Sequence, residues 1–228
     1  FFKRSIDAWS EVWVNSLLSS PITHFVNISA NFGFNVLRIG EQGIAATLNK
    51  IPGLSSPDGV QFNEVLAQIY AIRDGHRLGL ANMKHGFITG DTSTTKLDLR
   101  RPNAMGKRLL PEKYRNNFVG DSLELMGSYF RLPGRFLVAE DEYAKGILYK
   151  MEINRIAQRN FNEVINNGGT KEAAEEAYIK TVTNPNNDTV TKAKQAMEEG
   201  TFQADLPDGG LKKMQGFYLL TMNMTNTL

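Results

Sequence analysis

The chain has 228 residues, no cysteine, and 26 basic against 24 acidic side chains, for a net charge of +2. Without cysteine there is no disulfide framework, thiolate nucleophile or cysteine zinc site, and the near balance of charge excludes a whole-chain field dictating a polyanionic partner. With 41% hydrophobic and 22% charged residues, usage is that of a folded chain, long enough for one large or two small cores.

Helical period dominates and strand alternation is nearly absent. The first expected helix runs from Lys3 to Ser19, with Ile6, Trp9, Trp13, Leu17 and Leu18 as its apolar face. Ser20 then reads as an N-cap with Pro21 at the first helical position, where the missing N–H has no partner to lose. The second helix is expected to reach about Lys50.

This region is the most informative in the chain, because Val12 to Leu37 contains no Lys, Arg, Asp or Glu. The run is long enough to cross a bilayer, which takes ~20 apolar residues, but Asn15, Asn27, Asn31 and Asn35 interrupt it and Pro21 divides it. Thr23, Asn27, Asn31 and Asn35 recur every fourth residue and form one polar stripe. Ile22, Phe25, Ile28, Phe32, Val36 and Ile39 form a neighbouring apolar stripe. Amides between apolar rows suit helix–helix contact, where each can hydrogen-bond and set register. Two readings follow: an interior helix of a bundle, or a segment that assembles with other copies and meets a membrane. Gly33, Gly40 and Gly43 interrupt the same helix at a cost of about 1 kcal/mol each against Ala, so close packing is expected at them.

Ile51-Pro52-Gly53 and Ser55-Ser56-Pro57 mark a loop. A third helix fits Val60 to about Lys84, with Phe62, Val65, Leu66, Ile69, Ile72, Leu80 and Met83 as its apolar set. Gly86 to Arg101 reads as a long loop. Leu132-Pro133-Gly134 opens the longest helix, Arg135 to Asn166, the expected central packing element, which Asn167-Gly168-Gly169 ends. Thr170 caps a shorter helix, Asp188 or Thr189 caps the next, which stops at Gly200, and a last amphipathic stretch begins at Leu211. The expected fold is all-α, an elongated multi-helix bundle with long loops. Residues 1–228 read as a single region and a fragment of a larger protein, with 1–131 and 132–228 as the alternative subdivision.

No enzyme signature appears. Gly106-Lys107 lacks both the earlier glycine and the following hydroxyl of a phosphate loop. His24, His76 and His85 are scattered, unlike zinc-ligand spacings, and no metal or cofactor is expected. Glu140, Asp141 and Glu142 are consecutive, so on a helix they diverge and cannot alone flank a glycosidic bond. Asp141 and Lys145 form an i, i+4 pair. From Lys96 to Arg115 the charge is locally basic: Lys96, Arg100, Arg101, Lys107, Arg108, Lys113 and Arg115 face only Asp98 and Glu112. Such a segment suits phosphate contact without base reading, since only Tyr114 and Phe118 offer stacking; an ordinary solvated loop is the competing reading.

Three stretches together resemble a domain of very large phage proteins. Leu17-Leu18-Ser19-Ser20-Pro21-Ile22-Thr23-His24-Phe25-Val26-Asn27 is similar to that domain's opening. Leu132 to Lys145 resembles its second signature, an Arg-led helix here carrying Arg135, Asp141, Tyr143 and Lys145, with Ala144 where a second aromatic is common. Gly200-Thr201-Phe202 with Leu206 resembles a third. Proteins of this kind include the internal core or ejection proteins of T7-like podoviruses. The resemblance implies a virion protein, held inside the capsid at the portal vertex and used in a channel that carries the genome across the host envelope. Some such proteins carry a peptidoglycan-cleaving transglycosylase in another part of the chain, but this fragment has no Glu-Ser dipeptide of the kind that enzyme family uses, and no enzyme is expected in it. It implies other copies of itself, other internal virion and portal proteins, non-specifically held phage DNA and the host inner membrane as partners. The alternative is a helical scaffold module anchoring an attached polymerase or lytic domain.

Overall fold

The computed structural model describes residues 2–56, 59–92 and 104–201. Among these the chain is all helical: α1 (Phe2–Leu18), α2 (Pro21–Leu48), α3 (Phe62–Thr89), α4 (Phe118–Phe130), α5 (Leu132–Asn166), α6 (Lys171–Thr183) and α7 (Asn187–Gly200), with two single 3-10 turns at Lys107–Leu109 and Glu112–Tyr114. The amphipathic stretch expected from Leu211 lies outside the described residues.

The local signals explain most boundaries. Asn117, Thr170 and Asn186 cap α4, α6 and α7, each side chain accepting the backbone N–H three residues on; this satisfies an otherwise orphaned donor. The α7 cap is therefore Asn186, not Asp188 or Thr189. Gly168 ends α5 with φ 79°, the left-handed conformation that glycine adopts without a side-chain clash. Two expectations fail here. Helix α3 continues through Gly86 to Thr89, so the expected loop begins later, and α4 occupies a stretch where no helix was expected.

Contacts group the chain into two units made of discontinuous stretches, so their borders differ from a cut at 131/132. Among the described residues the first holds 2–28, 84–92 and 104–140; the second holds 29–56, 59–83 and 141–201. In the first, α1 packs on α4 and the first 3-10 turn. Its buried α1 residues are Ala8, Glu11 and Asn15, which share one face at helical spacing. Glu11 accepts the Met105 backbone N–H and lies 3.8 Å from Arg131. Arg131 in turn donates to the Met105 carbonyl at 2.6 Å and to Glu124 at 3.1 Å. Asn15 accepts the Gly134 N–H at 3.1 Å, satisfying a free donor in the first turn of α5.

In the second unit α5 is the hub, as expected. Leu148, Met151, Ile153 and Ala157 are buried on it. Its seam with α3 is built from glycines: a Cβ on Gly75 would meet the Ile147 Cα at 2.8 Å, and one on Gly146 would meet the Gly79 backbone at 2.5 Å. Helices that approach this closely exclude any larger residue at the crossing. An ionic ladder crosses the same unit. Glu64, only 1% exposed, accepts from Arg155 at 3.2 Å and from Arg159 at 3.0 Å, and Arg155 also donates to Glu152 at 2.7 Å. Burial works against the Arg155 charge, but its hydrogen bonds and attraction to Glu152 and Glu64 outweigh that and raise its pKa above the ordinary guanidinium value.

Candidate assembly surface

Of the first two helices, α1 is turned the opposite way from the sequence expectation, whereas α2 turns its amide stripe inward, as expected of amides suited to helix–helix contact. On α1, Ile6, Trp9 and Trp13 are exposed and the buried face is Ala8, Glu11 and Asn15. On α2, Ile22, Phe25, Ile28, Phe32 and Val36 all face outward, whereas Asn31 is buried at 5% exposure. On α1 the period was right and its sign was wrong; on α2 the amide stripe is the packed one and the neighbouring apolar stripe is open. A stripe of large apolar residues shows which face avoids water in the working protein, and that need not be the face that packs within one chain.

The inward side of α2 is held by polar contacts. In the first unit, His24 Nδ1 lies 2.9 Å from Glu140 and Asn27 donates to the same carboxylate at 3.3 Å. In the second, Arg38 donates to the Ala196 carbonyl at 3.3 Å and stands 3.9 Å from Glu152 and from Glu199. Gln68 donates to Gln42 at 2.6 Å, and Ala46 is buried beside it on the same face. The amide stripe is therefore an inward-facing one, with Thr23, Asn27 and Asn35 half-buried around the buried Asn31. Only part of it bridges helices: Asn27 reaches α5, while Asn35 donates back to the Asn31 carbonyl of its own helix at 2.8 Å.

The outward side of α2 within the second unit, residues 29–48, carries Phe32 at 71% exposure, Leu37 at 72% and Ile44 at 64%, with Val36 and Leu48 also exposed. Its two charged residues are Arg38, which is turned inward, and Glu41 at the border of the face. Gly33, Gly40 and Gly43 lie on this outward face, and a Cβ built on any of them meets nothing within 4 Å. The close packing expected at Gly33 and Gly40 is therefore not made by the described part of this chain.

The second motif region is a packing element. Lys145 is fully buried between Asp141 at 2.9 Å and Glu142 at 3.1 Å, so the i, i+4 pair is part of an interior cluster and not a solvated surface bridge. Tyr143 shares a 2.7 Å hydrogen bond with His76 Nδ1, and Gly79 leaves room for its ring. Arg135 is half-buried in the first unit.

Of the basic segment, Lys96, Arg100 and Arg101 lie outside the described residues. Lys107 stands 3.9 Å from Asp121, Arg115 donates to the Leu110 carbonyl at 3.1 Å, and Arg108 and Lys113 are exposed. Acidic neighbours that the sequence spacing did not reveal, Asp121 and Glu124, thus meet the described half of the patch.

Other candidates are weaker. A recess of about 370 Å³ is lined by Asn160, Lys180, Thr181, Asn184 and Asn186, but Asn160 already donates to Thr181 and Asn186 already caps α7. Among the described residues no cluster of three or more His, Asp or Glu side chains is placed to hold a metal ion, and no helix is long and apolar enough to cross a membrane. No family model, curated protein or solved structure matches the chain.

Proposed function

We propose that the chain is a structural assembly module of the phage ejection type, stored in the virion near the portal and contributing to a conduit for the genome across the host envelope. The observation that carries this reading is the orientation of α2. A helix whose amides and single arginine turn inward while Phe32, Leu37 and Ile44 turn outward leaves its most apolar face to be covered by something else. Exposed apolar surface of this extent marks an interaction site. The sequence resemblance adds the setting, in which other copies, other internal virion and portal proteins and the host inner membrane supply that cover. Arg108 and Lys113 are exposed and available for sequence-blind phosphate contact with passing DNA, and Lys96, Arg100 and Arg101 belong to the same basic run in the sequence. The alternative, a scaffold module for an attached enzyme, uses the same surface to hold that enzyme.

Mass spectrometry of purified particles before and after genome release tests the role. The ejection reading expects the chain in full particles and its depletion from emptied ones. Its absence from full particles overturns the reading, and retention in emptied ones favours the scaffold alternative.

A further inference from the structure

The outward face of α2 has an approximate symmetry, broken where Phe32 falls opposite Glu41, that suits a second copy of itself. Around the bond between Val36 and Leu37, Gly33 mirrors Gly40, Ala30 mirrors Gly43, and Ser29 mirrors Ile44. A helix that meets an antiparallel copy of itself on a two-fold axis at that bond brings each residue opposite its mirror. Small residues then face small ones beside the crossing, and the large Ile44 faces the small Ser29 further out. A two-fold interface requires such a self-complementary patch.

Two independent observations support the pairing. The glycines sit mid-helix, Gly40 exposed and Gly33 and Gly43 half-buried, with open space at every Cβ, so the described part of the chain does not account for them, whereas a backbone approaching from outside would. The apolar surface of residues 29–48 is also of the right size. Phe32, Val36, Leu37, Ile44 and Leu48 expose on the order of 500 Å² per chain, so two copies would bury about 1,000 Å², the lower bound for a specific interface. A lipid surface fits less well. Helices that lie on membranes border their apolar face with Lys and Arg, and here the border carries Glu41 while Arg38 is engaged with Glu152, Glu199 and the Ala196 carbonyl.

We infer that two copies of this chain pair through antiparallel α2 helices crossing at Val36–Leu37, with Gly33 of one copy against Gly40 of the other. The inference rests on the assembly reading and adds the partner, direction and register to it.

The absence of native cysteine makes cross-linking unambiguous, and the open Cβ positions of Gly33 and Gly40 accept a cysteine. Purified full-length Gly33→Cys and Gly40→Cys chains are mixed and oxidised, then each is oxidised alone, with helicity followed by circular dichroism. The pairing predicts that the mixed 33–40 disulfide forms roughly tenfold faster than either like-with-like disulfide. Faster 33–33 and 40–40 bridges would mean a parallel pair and overturn the register. No bridge above the rate of a control cysteine at exposed Lys192 would overturn the pairing, and co-sedimentation of the wild-type chain with anionic vesicles in that case would assign the face to lipid. The two proposals fail separately: a mixed bridge in a chain absent from particles removes the ejection role and keeps the dimer. A particle-borne chain without that bridge does the reverse.

Discussion

Two sets of glycines in this chain face opposite fates. Gly75, Gly79 and Gly146 lie in the seam between α3 and α5, where an added Cβ would meet backbone at 2.5–2.8 Å. Gly33, Gly40 and Gly43 lie on α2 with nothing near them. All six carry the same backbone-entropy penalty in a helix. In the seam that penalty is offset by close helix approach inside the chain; on α2 the described fold provides no such offset. The same contrast holds for large side chains, since Leu148 and Ile153 are enclosed while Phe32 and Leu37 are open. One half of this comparison is a finished interior, and the other has the composition of an interior with one side missing.

Substitutions can break or sharpen that contrast. The largest effect is expected from Glu64→Ala, which leaves Arg155 and Arg159 without their shared carboxylate in the interior; breaking a buried pair costs about 3–5 kcal/mol, measurable by urea denaturation. Leu148→Ala should cost about 2–5 kcal/mol by the same assay, and a change near zero would show that the α5 face is not enclosed. Gly146→Ala forces a methyl against the Gly79 backbone and should cost about 1–3 kcal/mol.

Gly40→Ala is the counterpart on the open face. In the monomer, at low concentration, it should raise stability by about 0.4–1 kcal/mol, because nothing opposes the added methyl and the unfolded chain loses freedom. If the pairing is right, the same change weakens self-association, so its effects on stability and on assembly have opposite signs. Destabilisation of the monomer would mean that the α2 glycines already pack within the chain.

How much of this was legible in the sequence follows from which physical signals are local. Helix ends were readable because caps act within four residues: Ser20-Pro21, Thr170 and Gly168 all stand at real boundaries. The α7 start was misplaced because Asn186, Asn187, Asp188 and Thr189 are all plausible caps in a row. Helix α4 was missed since its inward residues include Gly120 and Gly127 while Phe118, Leu125 and Tyr129 face outward, so no conventional apolar stripe marks its packed side. The face of α1 was inverted, and the openness of the α2 apolar stripe was not legible, for a related reason. Periodicity identifies a face, but only partners decide whether the packed side is the apolar one or the one bearing Glu11, Asn15, Asn31 and Arg38. The full burial of Lys145, whose charge Glu142 and Asp141 together hold, was not legible because charge partners three and four residues away look the same on a surface helix.

Sedimentation velocity of the intact chain over a concentration series, beside its Leu37→Glu variant, tests the central claim that the open face of α2 is an interface. The account predicts a shift from the 25.5 kDa monomer to a species of twice that mass for the wild type. In Leu37→Glu, which places a charge at the crossing, that shift should need roughly a hundredfold higher concentration. A wild-type chain that stays at 25.5 kDa throughout, indistinguishable from the variant, would contradict it.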